Sequence, residues 1–150
     1  MKRSMLALTA AVLSSLASAQ IPSKLAPVPS WSAELSAPRS VSGELPLTLT
    51  VYNVGGKDLF LAAPRDSRQN CAAAPLVRVL EVGTRRVVYP APDAEPLLCA
   101  QDLDIRTVAA GGSVVYTRTL NLPAGEYMVE GWHTGGGQKV PAQPVRVTVR

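Results

Sequence analysis

Apolar and polar residues alternate along most of the chain beyond position 44, and Gly, Pro and Asn interrupt the alternation at short intervals. In "ELPLTLTVYNVGGKD" the residues Leu45, Leu47, Leu49 and Val51 fall on one side of an extended strand, with Thr48, Thr50 and Tyr52 on the other. The reason is that successive strand side chains point to opposite faces. "NVGGKD" turns the chain, and Asp58 to Ala62 reads as a second strand. "PLVRVLEVGTRRVVYP" predicts a hairpin with Leu76 to Glu81 paired to Arg86 to Tyr89. Pro90, Pro92 and Pro96 then remove amide donors and end the strand. Three further strands are predicted over 104–108, 113–120 and 126–133, and Val145, Val147 and Val149 align on one face of the last.

About seven or eight short strands at regular spacing, with turn residues between them, predict an all-β, immunoglobulin-like antiparallel sandwich of Greek-key type over residues 31–150. Each sheet would bury one side of its alternation and wet the other, which places Thr48, Thr50, Thr117 and Thr119 outward. "LNLPAGEYMVEGW" has the form of the corner through which such a chain crosses between sheets. There Pro123 fixes φ, Gly125 permits a left-handed turn residue, and the Tyr127 hydroxyl is expected to bond back to backbone a few residues upstream.

The first residues change the picture of compartment. Lys2 and Arg3 precede an apolar run from Met5 to Leu16 and the small triplet Ala17-Ser18-Ala19, the layout of a secretory signal peptide over 1–19. The run is shorter than the roughly 20 apolar residues that span a bilayer, so no integral membrane segment is expected after cleavage. Residues 20–30, "QIPSKLAPVPS", read as a proline-rich linker or arm. Two of the 15 Lys plus Arg lie in the signal, so the net charge drops from +4 for the whole chain to +2 for the remainder. The remaining cations are scattered, without the basic stripe interleaved with aromatics that grips nucleic acid.

An exported chain with two cysteines, Cys71 and Cys99, predicts a disulfide. Structural zinc asks for four Cys or His ligands, and the chain offers these two and His133. Neither a metal nor another cofactor is expected. "TGGGQK" is glycine-rich, but no phosphate-binding helix follows it.

The order of these pieces resembles the BsuPI-type proteinase-inhibitor domain. The matching stretches are "LTLTVYNVGGKDLFLAAP", "VRVLEVGTRRVVY", "VAAGGSVVYTRTL", "LPAGEYMVEGW" and "PVRVTV", which run from about Leu45 to Val149. The chain departs from the family in its cysteine pair, in its export signal and in "APRDSRQNCAAAP", where the family places an aromatic-rich segment. The resemblance implies the sandwich, and it raises protease inhibition as an activity.

Among candidate sites, the 62–75 loop "AAPRDSRQNCAAAP" is long, polar and tethered at Cys71. Arg65, Asp66 and Arg68 make it a candidate binding loop, and either arginine could enter the specificity pocket of a trypsin-like protease. A solvated connection pinned by a bridge is the plainer alternative. For catalysis, His133 is the one histidine available to a triad. Asp102 and Asp104 would lie about 6.8 Å apart on one strand face, within the separation used by inverting glycosidases, yet on one strand rather than across a cleft. Trp31 and Trp132 read as core or sheet-covering residues. No catalytic residue is assigned. The expected role is non-enzymatic binding of a protein partner, either a protease or an envelope component, in the periplasm or extracellular space.

Overall fold

The computed structural model describes residues 30–150. The predicted signal segment 1–19, and the predicted arm apart from Ser30, lie outside the described residues. The strands are β1 (Trp31–Ser36), β2 (Ser40–Val41), β3 (Leu45–Asn53), β4 (Leu59–Pro64), β5 (Leu76–Glu81) and β6 (Val87–Tyr89), followed by β7 (Leu103–Val108), β8 (Ser113–Leu120), β9 (Gly125–Gly135), β10 (Gln138–Pro141) and β11 (Val145–Val149).

The fold is an all-β antiparallel sandwich of immunoglobulin-like build. One sheet is ordered β1-β3-β8, and the facing one runs β2-β11-β9-β5-β6 with β10 on β9. A β4–β7 ribbon completes it, with β4 lying against β9. Leu45, Leu47, Leu49 and Val51 are fully buried and pack in one core with Val77, Val79, Val129 and Val147. Burial of each such side chain contributes about 1.5–3 kcal/mol. Thr117 and Thr119 are exposed as expected, and Thr48 and Thr50 are half-buried.

Eleven strands are present among the described residues, against the seven or eight predicted. The additional strands are β1, β2 and β10, none of which was predicted. β4 with β5, β6 with β7, and β10 with β11 are consecutive pieces of three longer runs, each broken by an insertion or a proline-containing jog.

The β8-to-β9 crossing joins the two sheets through the corner. The Tyr127 hydroxyl donates to the Pro123 carbonyl at 2.8 Å. Gly125 is not in the left-handed region, contrary to expectation. It is needed for close approach, because a Cβ there would lie 2.9 Å from Tyr127 Oη and 3.1 Å from Cζ. At the other hairpin end, Gly136 and Gly137 have φ of 56° and 78° and form the two-residue turn between Gly135 and Gln138. Positive φ at both central residues suits the right-handed twist of the flanking strands.

Candidate functional site: a disulfide-tied tip on a split hairpin

β4 pairs with β7 from Leu59↔Val108 to Pro64↔Leu103, and β5 pairs with β6 through Val79↔Tyr89 and Leu80↔Val87. In chain order these ladders are the two halves of one hairpin. Both legs are interrupted at the same level, one by residues 65–75 and the other by residues 90–102. The two insertions therefore emerge side by side, and four sets of contacts fix them.

Cys71 and Cys99 are disulfide-bonded, with Cα atoms 5.5 Å apart. The Leu97 amide donates to the Ser67 carbonyl at 2.8 Å. Arg65 clasps Asp102 with two bonds, Nε to Oδ1 at 2.6 Å and Nη2 to Oδ2 at 2.8 Å, and also reaches the Cys71 carbonyl. The Arg65 bonds hold the Asp102 carboxyl below its ordinary range. Both groups face solvent, so this ion pair adds geometry more than stability.

The fourth set lies underneath. Arg118 on β8 has the inward parity of Val114, Tyr116 and Leu120 and points between the layers. Its Nη1 donates to Gln69 Oε1 at 2.9 Å and to the Pro75 carbonyl at 3.1 Å. Its Nη2 donates to the Gln69 carbonyl at 2.8 Å and to the Tyr89 hydroxyl. The guanidinium carbon stands 5.0 Å from the Tyr89 ring centroid. Gln69 is itself buried and accepts the Val77 amide at 2.9 Å. Burial pulls Arg118 below the usual arginine range and pushes the Tyr89 phenol up.

Within the 65–75 loop Asp66 is the hub. Its amide donates to the Ala72 carbonyl, its own carbonyl accepts from Gln69 and Cys71, and its Oδ1 accepts the Arg68 amide at 2.8 Å. Asn70 and Cys71 take left-handed φ of 55° and 56°. The loop is thus a closed turn. Asp66 builds it, Arg65 is committed to Asp102, and Arg68 alone of the three candidates presents an exposed side chain with no hydrogen bond or ion pair among the described residues. The insertion tied to it carries Leu97, also exposed, and Leu98 at 101% exposure.

The residues weighed for catalysis are not assembled. Asp102 faces Arg65, whereas Asp104 faces Arg106 at 2.8 Å. His133 has no exposed surface, and it packs on Trp31 (centroids 5.5 Å apart) and Tyr116 (5.0 Å). Trp31 is buried, and Trp132 is half-buried under the Lys139 ammonium, 3.9 Å from its ring. Among the described residues no group of three or more His, Cys, Asp or Glu could hold a metal ion, and no helix is long and apolar enough to cross a membrane.

Among the described residues neither His133 ring nitrogen nor the Tyr116 hydroxyl has a hydrogen-bond partner. Burial pushes the Tyr116 phenol up to about 12 and lowers the His133 pKa from 6.5, against the pull of Asp104. A histidine depressed in the folded state gives stability that is complete above its unfolded pKa and lost as pH falls below it. Unfolding free energy is therefore expected to fall from pH 6.5 downward, at up to about 1.4 kcal/mol per pH unit. Denaturant titrations at pH 7 and pH 5 check this, since His133→Phe should flatten the dependence over that window. An unchanged pH profile in the variant would assign the acid loss to other groups.

Gln69, Tyr89 and Arg118 were not singled out by sequence reasoning. A readable signal existed, because Arg118 occupies a position of core parity within an otherwise apolar-inward strand.

No protein-family model matches the chain, and no curated protein matches it. Solved structures align weakly. A β-glucosidase from Listeria innocua aligns at TM-score 0.43 and 13% identity, over 79% of this chain and 16% of its own. The Pseudomonas fluorescens alkylpurine DNA glycosylase AlkC aligns at TM-score 0.42 and 10% identity, over 81% and 30%. The CARDB domain of a Pyrococcus furiosus protein gives TM-score 0.41 and 14% identity, over 80% and 87%. The chain thus spans a small part of the β-glucosidase it aligns with. Similarities of this size assign neither family nor activity. The class rests on the molecule's own sheets and bridge: a disulfide-bonded immunoglobulin-like sandwich.

Proposed function

We propose that the chain is an exported, non-enzymatic interaction domain that holds a protein partner at the tip of its split hairpin. The observation that carries this reading is Leu98, a fully exposed leucine on the insertion tied to the one that carries exposed Arg68, both fixed by a disulfide and an ion pair, with the Arg118 bonds beneath. A fully exposed leucine gains free energy when a partner takes its apolar surface out of water, and arginine is enriched at interface centres. Loops ordered before binding lose little entropy on contact. The bridge also fits an oxidising compartment, periplasmic or extracellular, as the signal-like first 19 residues do.

Protease inhibition is the second reading, favoured by Arg68 as an exposed cation on a tethered loop and by the BsuPI-like motifs. It ranks second because the loop is a closed turn, not the extended segment a protease cleft accepts.

Capture from envelope extract of the native host with the mature protein, Leu98→Asp and Arg68→Ala tests the tip. A partner retained by the parent and lost by Leu98→Asp is the expected result, and equal retention by both variants would refute it. One-to-one slowing of a trypsin-like protease, abolished by Arg68→Ala, would favour inhibition instead.

A further inference from the structure

β7 pairs with β4 on one side and, among the described residues, with no strand on the other. Exposed edges of this kind present unpaired N–H and C=O groups to any second strand, and proteins ordinarily blunt them with charged side chains, proline, bulges or brevity. Three other edges are blunted: β2 has two residues, β6 has three and runs into Pro90, and β1 lies against β10. The sequence of β7, "LDIRTV", has no proline or glycine, and its two charges, Asp104 and Arg106, are of opposite sign, so they repel a general strand less than a like-charged edge does.

The β4–β7 ribbon also carries an apolar outer face. Phe60 lies opposite Thr107, Ala62 opposite Ile105 and Pro64 opposite Leu103, so these residues share one side. Phe60 is 67% exposed, Ile105 64% and Leu103 50%. Asp104 and Arg106 share the other side.

We infer that β7 pairs antiparallel with β7 of a second copy, centred on Ile105, to give a two-fold dimer with a continuous β4-β7-β7-β4 sheet. Charge complementarity selects this occupant. In that register Ile105 meets Ile105, Leu103 meets Thr107, and each Asp104 meets the partner's Arg106. Directly opposed residues in an antiparallel pair have Cβ atoms about 4.5–5.5 Å apart, within reach of a carboxylate and a guanidinium. Arg106 already holds its own Asp104 at 2.8 Å, and the guanidinium has donors to spare. The dimer would close a ring of two carboxylates and two guanidinium groups. On the opposite face, Phe60, Leu103 and Ile105 of the two copies join into one apolar patch. Among the described residues β8 is also a long unpaired edge, and it has no such self-complementary charge pair in "SVVYTRTL". The small net charge, +2 beyond the signal, does not oppose association. A two-fold contact uses the same patch on both copies, so the assembly stops at two. These residues are separate from Arg68, Leu97 and Leu98, so tip variants should leave dimerisation unchanged.

Sedimentation equilibrium of the mature protein tests the inference. The parent is expected to show a concentration-dependent monomer–dimer equilibrium. Asp104→Arg places two arginines opposite two on pairing, and Arg106→Asp places aspartates opposite aspartates. Each variant alone should dimerise at least about tenfold more weakly than the parent. Mixed in equal amounts they should form a heterodimer, because every opposed pair is then of opposite sign. A parent that stays monomeric up to hundreds of micromolar would overturn the inference, as would single variants that dimerise like the parent or a mixture that shows no heterodimer. Melting curves of each variant confirm that the sandwich is folded before sedimentation is read.

Discussion

Cys71→Ser/Cys99→Ser is expected to lose about 3.6 kcal/mol of unfolding free energy, the chain-entropy value for a closed loop of roughly 29 residues. The sulfurs join positions 28 apart in sequence. The native arrangement of the two insertions does not depend on the bridge alone, since Arg65 clasps Asp102, the Leu97 amide meets the Ser67 carbonyl, and Arg118 holds Gln69 and Pro75 from below. The variant should thus fold to the same sandwich, and the loss should come from the freedom restored to its unfolded chain. Guanidinium titrations of the parent, the double variant and the reduced parent measure it. The last two should coincide. A double variant within about 1 kcal/mol of the parent would show that the unfolded ensemble already keeps the insertions together.

The inner face of the sandwich was legible because burial writes itself into every second residue. Leu45 through Val51, Leu76 through Glu81 and Val145 through Val149 form strands where the alternation places them. β1 was missed although Trp31, Ala33 and Leu35 alternate with Ser32, Glu34 and Ser36. Ser, Ala and Glu favour strands weakly, and the proline-rich stretch before them suggested an arm. β1 forms because all six of its residues pair with β3, from Trp31↔Asn53 to Ser36↔Thr48, a tertiary contact that no local pattern encodes. The same holds for the tip. The length of the 62–75 segment and its cysteine pointed to a binding loop, but which arginine is free depends on Asp102, which lies 37 positions from Arg65. The corner was read from three residues, and the bond of Tyr127 to Pro123 is there, whereas Gly125 serves contact with a ring and not a left-handed φ. A local motif indicates where a glycine is needed. Which of its two properties matters is decided by what packs against it.

Arg118→Leu is the second substitution expected to cost heavily, about 3 kcal/mol. Arginine has the donors and the planar fork to serve several acceptors at once, and here it serves four: the carbonyl and side-chain oxygens of Gln69, the Pro75 carbonyl and the Tyr89 hydroxyl. Leucine fills much of the space and removes the donor that these part-buried oxygens share, although Gln69 Oε1 keeps the Val77 amide. Replacing a whole buried polar network with apolar groups can be neutral, but that route is closed here, because two of the acceptors are backbone carbonyls that no substitution removes. Arg118→Lys keeps the charge, yet one ammonium cannot span acceptors spread over one insertion and a strand end. It should recover roughly half of the loss. Since the Val77 amide depends on the Gln69 side chain, its hydrogen exchange should accelerate in Arg118→Leu more than that of Val147, which lies away from the insertions on β11. Equal acceleration at both amides would mean that the arginine supports the sandwich as a whole. Selective acceleration at Val77 would mean that it holds the floor of the tip. If Arg118→Leu matched the parent in both stability and exchange, the guanidinium would be a passenger, and the fixed geometry attributed to the tip would rest on the disulfide and the Arg65 clasp alone.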